Sequence, residues 1–162
     1  MRALLPTILT LLALIGAACN GMVGRGDGDD NRFSDFADIA PSGWLYSEPV
    51  DFVPDTLLDS ICPRGTLLVS VRHSRQYVYS NLWLEVSYAD TDTTRRVDTV
   101  NVILARPDGS WLGKGMGLSM EKLDTVATGY PLVMCRPLRL RHIMRTDTLE
   151  GIERVGLVYI PD

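Results

Sequence analysis

Between Val97 and Gly117 the chain alternates, breaks on turn residues and starts again, and this pattern constrains the fold more than any other stretch. Val100, Val102 and Leu104 alternate with Thr99, Asn101 and Ile103, the period-2 spacing of a strand with one buried face. Arg106-Pro107-Asp108-Gly109-Ser110 follows. Proline presets φ at the first corner of a turn, Asp108 can bond its own backbone, and Gly109 accepts positive φ. The return segment opens with Trp111-Leu112 and carries Gly113, Gly115 and Gly117 at every second position. Read as a β-hairpin, it has a second strand with one face bare of side chains, against which a neighbouring backbone or a large aromatic must lie.

Similar patterning recurs on both sides of this stretch. Trp44-Leu45-Tyr46 and Val50-Asp51-Phe52 form a first strand interrupted or bent by Pro49. Leu67, Val69 and Val71 mark a second strand, and Leu82, Leu84, Val86 and Tyr88 alternate with Trp83, Glu85 and Ser87 in a third. Glu121 to Thr128 reads as a loop, Tyr130 to Leu140 as a strand, and Val155 to Ile160 as the last strand. Between them, Arg141 to Gly151 fits neither period. Short strands separated by turn signals, with no long amphipathic helix, predict an all-β domain, an antiparallel β-sandwich of about seven to eight strands, with an open barrel as the alternative.

The N-terminus has a different character. Arg2 precedes an apolar run from Leu4 to Ile15, and Gly16-Ala17-Ala18 leads to Cys19. This arrangement predicts a lipoprotein signal peptide over residues 1–18, with Cys19 as the lipidated N-terminus of the mature chain. Gly16 stands where a larger aliphatic residue is usual, so the other reading is an ordinary signal peptide with a coincidental cysteine. Removing residues 1–18 takes away Arg2 and changes the formal charge from −4 to −5. Several acyl chains hold a protein stably on a membrane where one would not. Residues 19–40 then form the lipidated cysteine and a flexible acidic tether, with Gly21, Gly24, Gly26 and Gly28 among Asp27, Asp29 and Asp30. The acidic residues either mark export to the cell surface or are simply solvated. Residues 41–162 remain as the sandwich domain.

Composition excludes some functions. The chain is mildly acidic, and its only lysines are Lys114 and Lys122. A nucleic-acid binder would need a basic face to neutralise phosphates. The two histidines, His73 and His142, lie far apart without a helix to align them, so no metal site is expected and both are assigned to the surface or to loops. No nucleophile elbow, acid/base carboxylate pair or phosphate-loop frame is present, and neither a catalytic nor a cofactor-binding residue is assigned. With Cys19 lipidated, Cys62 and Cys135 remain, either as a disulfide in an oxidising compartment or as two separate thiols.

Two clusters are candidates for partner binding. Arg136, Arg139, Arg141 and Arg145 place four fixed cations within ten residues, either as an anchor for a carboxylate-bearing partner or as a solvated face balanced by acids. Trp83 and Trp111, with Tyr77 and Tyr79, form either an aromatic platform or part of the core.

Against these residues, the chain resembles the gliding-motility lipoprotein family H of the Bacteroidota. The resemblance rests on Tyr79-Ser80-Asn81-Leu82-Trp83-Leu84, on Asp98-Thr99-Val100, and on Asp108-Gly109-Ser110-Trp111-Leu112-Gly113-Lys114-Gly115. It continues in Met144-Arg145, Leu149-Glu150-Gly151-Ile152 and Val155-Gly156-Leu157. It implies a lipid-anchored accessory or scaffold component of the machinery for gliding and associated protein secretion. The expected location is the cell envelope, in the outer membrane. The expected partners are that membrane and other gliding or secretion proteins. The resemblance brings no catalytic residues. The competing reading is an envelope lipoprotein that binds a glycan or another small ligand through an aromatic face.

Overall fold

The computed structural model describes residues 33–54, 64–89, 95–131 and 136–162. Cys19, Cys62 and Cys135, and with them the lipidation and disulfide expectations, lie outside the described residues.

Eleven strands are present among the described residues, all paired antiparallel, and no helix. They are β1 (Phe33–Asp38), β2 (Trp44–Leu45), β3 (Val50–Phe52), β4 (Arg64–Ser74), β5 (Asn81–Ala89), β6 (Arg95–Ile103), β7 (Lys114–Met116), β8 (Ser119–Pro131), β9 (Leu138–His142), β10 (Thr148–Leu149) and β11 (Ile152–Pro161). A five-stranded sheet has the order β1-β11-β4-β8-β7, a four-stranded sheet the order β3-β9-β5-β6, and β10 pairs with β2 in a small ribbon. The all-β expectation holds.

Alternation explains the core. Leu67, Val69 and Val71 on β4 and Val155, Leu157 and Tyr159 on β11 are buried on one face of the five-stranded sheet. Leu82, Leu84 and Val86 on β5, Val102 on β6, and Leu138 and Leu140 on β9 are buried on one face of the other. All of them belong to a single apolar cluster. Two sheets that each bury one face against the other form a sandwich. At one end, Tyr88, Tyr130 and Tyr159 pack edge to face, with ring centroids 4.5 and 6.3 Å apart.

Several boundaries differ from the sequence reading. The sheet begins at Phe33, inside the stretch read as tether. Phe33 is buried, and β1 runs antiparallel to β11 from Phe33 opposite Tyr159 to Asp38 opposite Arg154. The Phe36 ring covers Gly156, where a Cβ would collide with it. Of the two readings at Pro49 the structure has the interruption: two short strands, β2 and β3, flank it and join different sheets. The polar stretch read as a loop, Glu121 to Thr128, lies within β8 and pairs with β4. Its polar groups are satisfied locally: Ser70 Oγ donates to Glu121 at 2.9 Å, and Lys122 donates to Asp124 at 2.8 Å. The strand read from Tyr130 to Leu140 is not continuous either. Tyr130 belongs to the end of β8, β9 starts at Leu138, and residues 132–135 lie outside the described ones.

The central hairpin is real only at its turn. Arg106 N–H donates to the Ser110 carbonyl and Gly109 N–H to the Arg106 carbonyl, both at 2.9 Å, with Gly109 at φ 82°. An Ala105–Trp111 bridge and a 2.7 Å bond from Leu112 N–H to the Leu104 carbonyl continue the pairing. The chain then leaves the four-stranded sheet, and β7 pairs with β8 in the other. The three glycines therefore do not share a bare strand face. Gly113, at φ 97°, is pressed against the Glu121 carbonyl, whereas Gly117, at φ 62°, faces open space. An alanine at positive φ costs about 1–2 kcal/mol from backbone strain alone. Gly117→Ala should therefore lower stability by about 1 kcal/mol, and Gly113→Ala, which adds a backbone collision, by more than about 2 kcal/mol. Urea unfolding of the two variants checks the order.

Candidate functional site

The face of the four-stranded sheet turned away from the core carries the residues out of phase with it. Asp51 on β3 lies opposite Arg139 on β9, and Arg141 on β9 lies opposite Glu85 on β5. Both rows close as ion pairs. Arg139 donates through Nε and Nη2 to the two Asp51 oxygens, at 2.7 and 2.8 Å. This fork holds the Asp51 carboxyl below its usual range, chiefly through the side-chain hydrogen bond. Arg141 reaches Glu85 at 2.8 Å, and its guanidinium sits 5.2 Å from the centre of the Tyr46 ring. The balanced-face reading thus describes Arg139 and Arg141. Arg136 precedes β9 and is half-buried.

The fourth arginine is placed differently. The chain turns out of β9 at Ile143, whose N–H donates to the Trp83 carbonyl at 2.9 Å, and Met144 Sδ accepts the Trp83 N–H at 3.3 Å. These bonds set Ile143, Met144 and Arg145 beside the start of β5. With Tyr79, Asn81 and Trp83 they line a shallow recess of about 530 Å³, within the volume range of ligand sites. Trp83 is 42% exposed and Tyr79 39%. Asn81 Nδ2 donates to Asn101 Oδ1 at 2.7 Å, which fixes the amide at the rim.

The structure therefore brings together Trp83, Tyr79 and Arg145, and separates them from Trp111. Trp111 is half-buried, packs on the core, and its ring centroid lies 4.6 Å from that of His73. Tyr77 is buried, donates its hydroxyl to the Asn81 carbonyl at 3.1 Å, and has its pKa pushed up by burial. The sequence reading missed Ile143 and Met144 as lining residues. The only signal was that their stretch obeyed neither strand nor helix spacing.

Both histidines contradict the surface assignment: each is fully buried. His73 Nδ1 lies 2.9 Å from the Ser74 carbonyl and His142 Nε2 lies 3.1 Å from the Trp44 carbonyl. A carbonyl can only accept, so each of these nitrogens carries the proton. The second ring nitrogens, His73 Nε2 and His142 Nδ1, are buried without a hydrogen-bond partner. Burial lowers both pKa values. Among the described residues no cluster of three or more metal-ligating side chains forms, and no helix is long and apolar enough to cross a membrane.

The architecture and the recess define an all-β sandwich domain that carries an aromatic recess lined by a single cation. The chain belongs to the GldH lipoprotein family, whose model matches residues 31–158. Membership makes it a gliding-related envelope lipoprotein. No curated protein matches the chain. A solved structure of Cocksfoot mottle virus is similar at 13% identity over 97% of this chain and 96% of the viral one, with a TM-score of 0.29. At that score the likeness says nothing of fold or function.

The histidines make a prediction about pH. A histidine held neutral by burial titrates below its unfolded value near 6.5, so the unfolded chain binds more protons in acid. Stability should be complete above about pH 6.5 and fall as the pH drops below it, by at most about 1.4 kcal/mol per pH unit for each histidine. Urea midpoints between pH 7.5 and 5 check this. The double variant His73→Gln, His142→Gln should show a flatter pH slope from a lower starting stability.

Proposed function

We propose that the chain is a lipid-anchored accessory or scaffold component of the gliding-motility and associated protein-secretion machinery, working by non-catalytic contact with other envelope proteins. The observation that carries this reading is the family match, which spans the folded domain from β1 to within β11. In this reading Cys19 is acylated and holds the domain on the outer membrane, as the signal-peptide pattern ahead of it supports. The recess supports a contact role. Tyr79, Trp83, Ile143 and Met144 offer area, Asn81 a hydrogen bond, and Arg145 a fixed charge. Such groups suit holding a partner.

A second reading has some support. Trp83 and Tyr79 are exposed side by side, and exposed aromatics also stack on sugar rings, so a glycan or other small ligand of the envelope is the alternative occupant.

Deletion of the gene in the native host should abolish spreading on surfaces and reduce export of the surface proteins that gliding requires. Cys19→Ala should take up no palmitate analogue and should leave the washed membrane fraction, with the same loss of spreading. Full spreading without the gene, or an unchanged membrane fraction for Cys19→Ala, would contradict the proposal.

A further inference from the structure

Strand direction sorts the ends of the sandwich into two poles. At one pole β1 begins with Phe33 opposite Tyr159, β4 begins with Arg64 opposite Pro131, and β5 ends near Tyr88, whose ring meets Tyr130. At the other pole β4 ends with Ser74 opposite Ser119, β5 begins at Asn81, and β9 ends at His142 before the recess residues Ile143, Met144 and Arg145. The chain from Cys19 enters at the first pole, with only residues 20–32 between the cysteine and β1. The recess lies at the second. Asn81 and Ala89 bound the nine residues of β5, and eight steps of about 3.3 Å separate the two poles by roughly 26 Å.

We propose that the recess is a docking site for an acidic segment of a partner protein, displayed on the pole that faces away from the lipid anchor. The inference rests on the reading of the chain as an anchored assembly component.

Charge is the first argument. Arg145 is the one charged residue lining the recess. On the outer face of the same sheet, Glu85 is already engaged by Arg141 and Asp51 by Arg139. On a chain of net charge −4, the recess therefore offers a cation that a carboxylate can meet without displacing an existing pair.

Residue type is the second argument. Tyr, Trp, Met and Arg are the residues enriched at the centres of protein interfaces. Here Tyr79, Trp83, Met144 and Arg145 converge. Met144 adds an adaptable thioether that already accepts the Trp83 N–H, so its position is set before a partner arrives. Polar groups that could read sugar hydroxyls are few. Asn81 is the only side-chain amide lining the recess, and one of its two N–H groups is bound to Asn101.

The test is photo-crosslinking in the native host, with the full-length chain carrying a photoreactive amino acid at Tyr79 or, as a control, at Leu123. Leu123 is half-exposed on the other sheet. A protein adduct should form from position 79 and not from position 123. Reversing the charge with Arg145→Glu should reduce its yield about tenfold or more, as expected for a charge reversal worth about 1.4 kcal/mol or more. Arg145→Lys should retain most of the adduct, and the crosslinked partner peptide should contain Asp or Glu. If Arg145→Glu fails to accumulate, Arg145→Ser takes its place, with the same expected direction. Equal adducts from both positions, a yield indifferent to Arg145→Glu, or an adduct to polysaccharide would each overturn the proposal. The anchored-component reading is judged separately: if deleting the gene stops spreading while Arg145→Glu spreads normally and forms the same adducts, the docking site is wrong and that reading stands.

Discussion

The pairing of β4 with β11 on one side and β8 on the other is the constraint on which the rest of the structure depends. β4 is the middle strand of the five-stranded sheet, and Leu67, Val69, Val71 and His73 form a fully buried stripe along it. Burying an aliphatic side chain of this size stabilises the fold by about 1.5–3 kcal/mol, and the facing stripe of Leu82, Leu84 and Val86 gains as much. A slip of one residue in either pairing would turn these side chains to solvent. Once this register is set, strand direction alone decides which loops share a pole. The entry at Phe33 and the recess at Trp83 are consequences of this core arrangement.

The outer face of the four-stranded sheet follows from the same alternation. Residues out of phase with the core project outward in rows, and two rows neutralise themselves, Asp51 with Arg139 and Glu85 with Arg141. Ion pairs this exposed add little to stability. Their effect is to leave Arg145, past the end of β9, as the cation beside the exposed aromatics. The buried histidines mark a different cost of the fold. Each satisfies one ring nitrogen on a backbone carbonyl and leaves the other buried without a partner. A neutral imidazole tolerates this and an imidazolium does not, so acid weakens the same packing that creates the recess.

What the sequence disclosed was local. The alternation of Leu82 to Tyr88 told that β5 is a strand and set Trp83 out of phase with Leu82 and Leu84, while the choice between platform and core for Trp83 stayed open until the structure placed it outside. The Pro-Asp-Gly-Ser turn was equally legible, since its bonds close within five residues. The parts that did not show depend on distant partners. β1 is a short edge strand of Phe33, Phe36 and Ala37 among polar residues, and it exists because β11, more than a hundred residues later, supplies its ladder, Gly156 for the Phe36 ring and Arg154 for Asp38. β8 hid behind Glu121, Lys122 and Asp124, whose charges are answered by groups on β4 and on β8 itself. The burial of His73 and His142 was invisible because it depends on Ser74 and Trp44 presenting carbonyls. The recess was half legible: Trp83, Tyr79 and Arg145 were in view, while Ile143 and Met144 lay in a stretch without a period.

The central claim is that the anchored domain holds its recess away from the membrane that carries it. The most direct measurement is quenching by nitroxide-bearing lipids in vesicles that carry the acylated full-length protein, with a fluorophore placed at Arg64 on one pole or at Tyr79 on the other. The account predicts strong quenching at residue 64 and weak quenching at residue 79. Equal quenching at the two positions, or the reverse order, would contradict it.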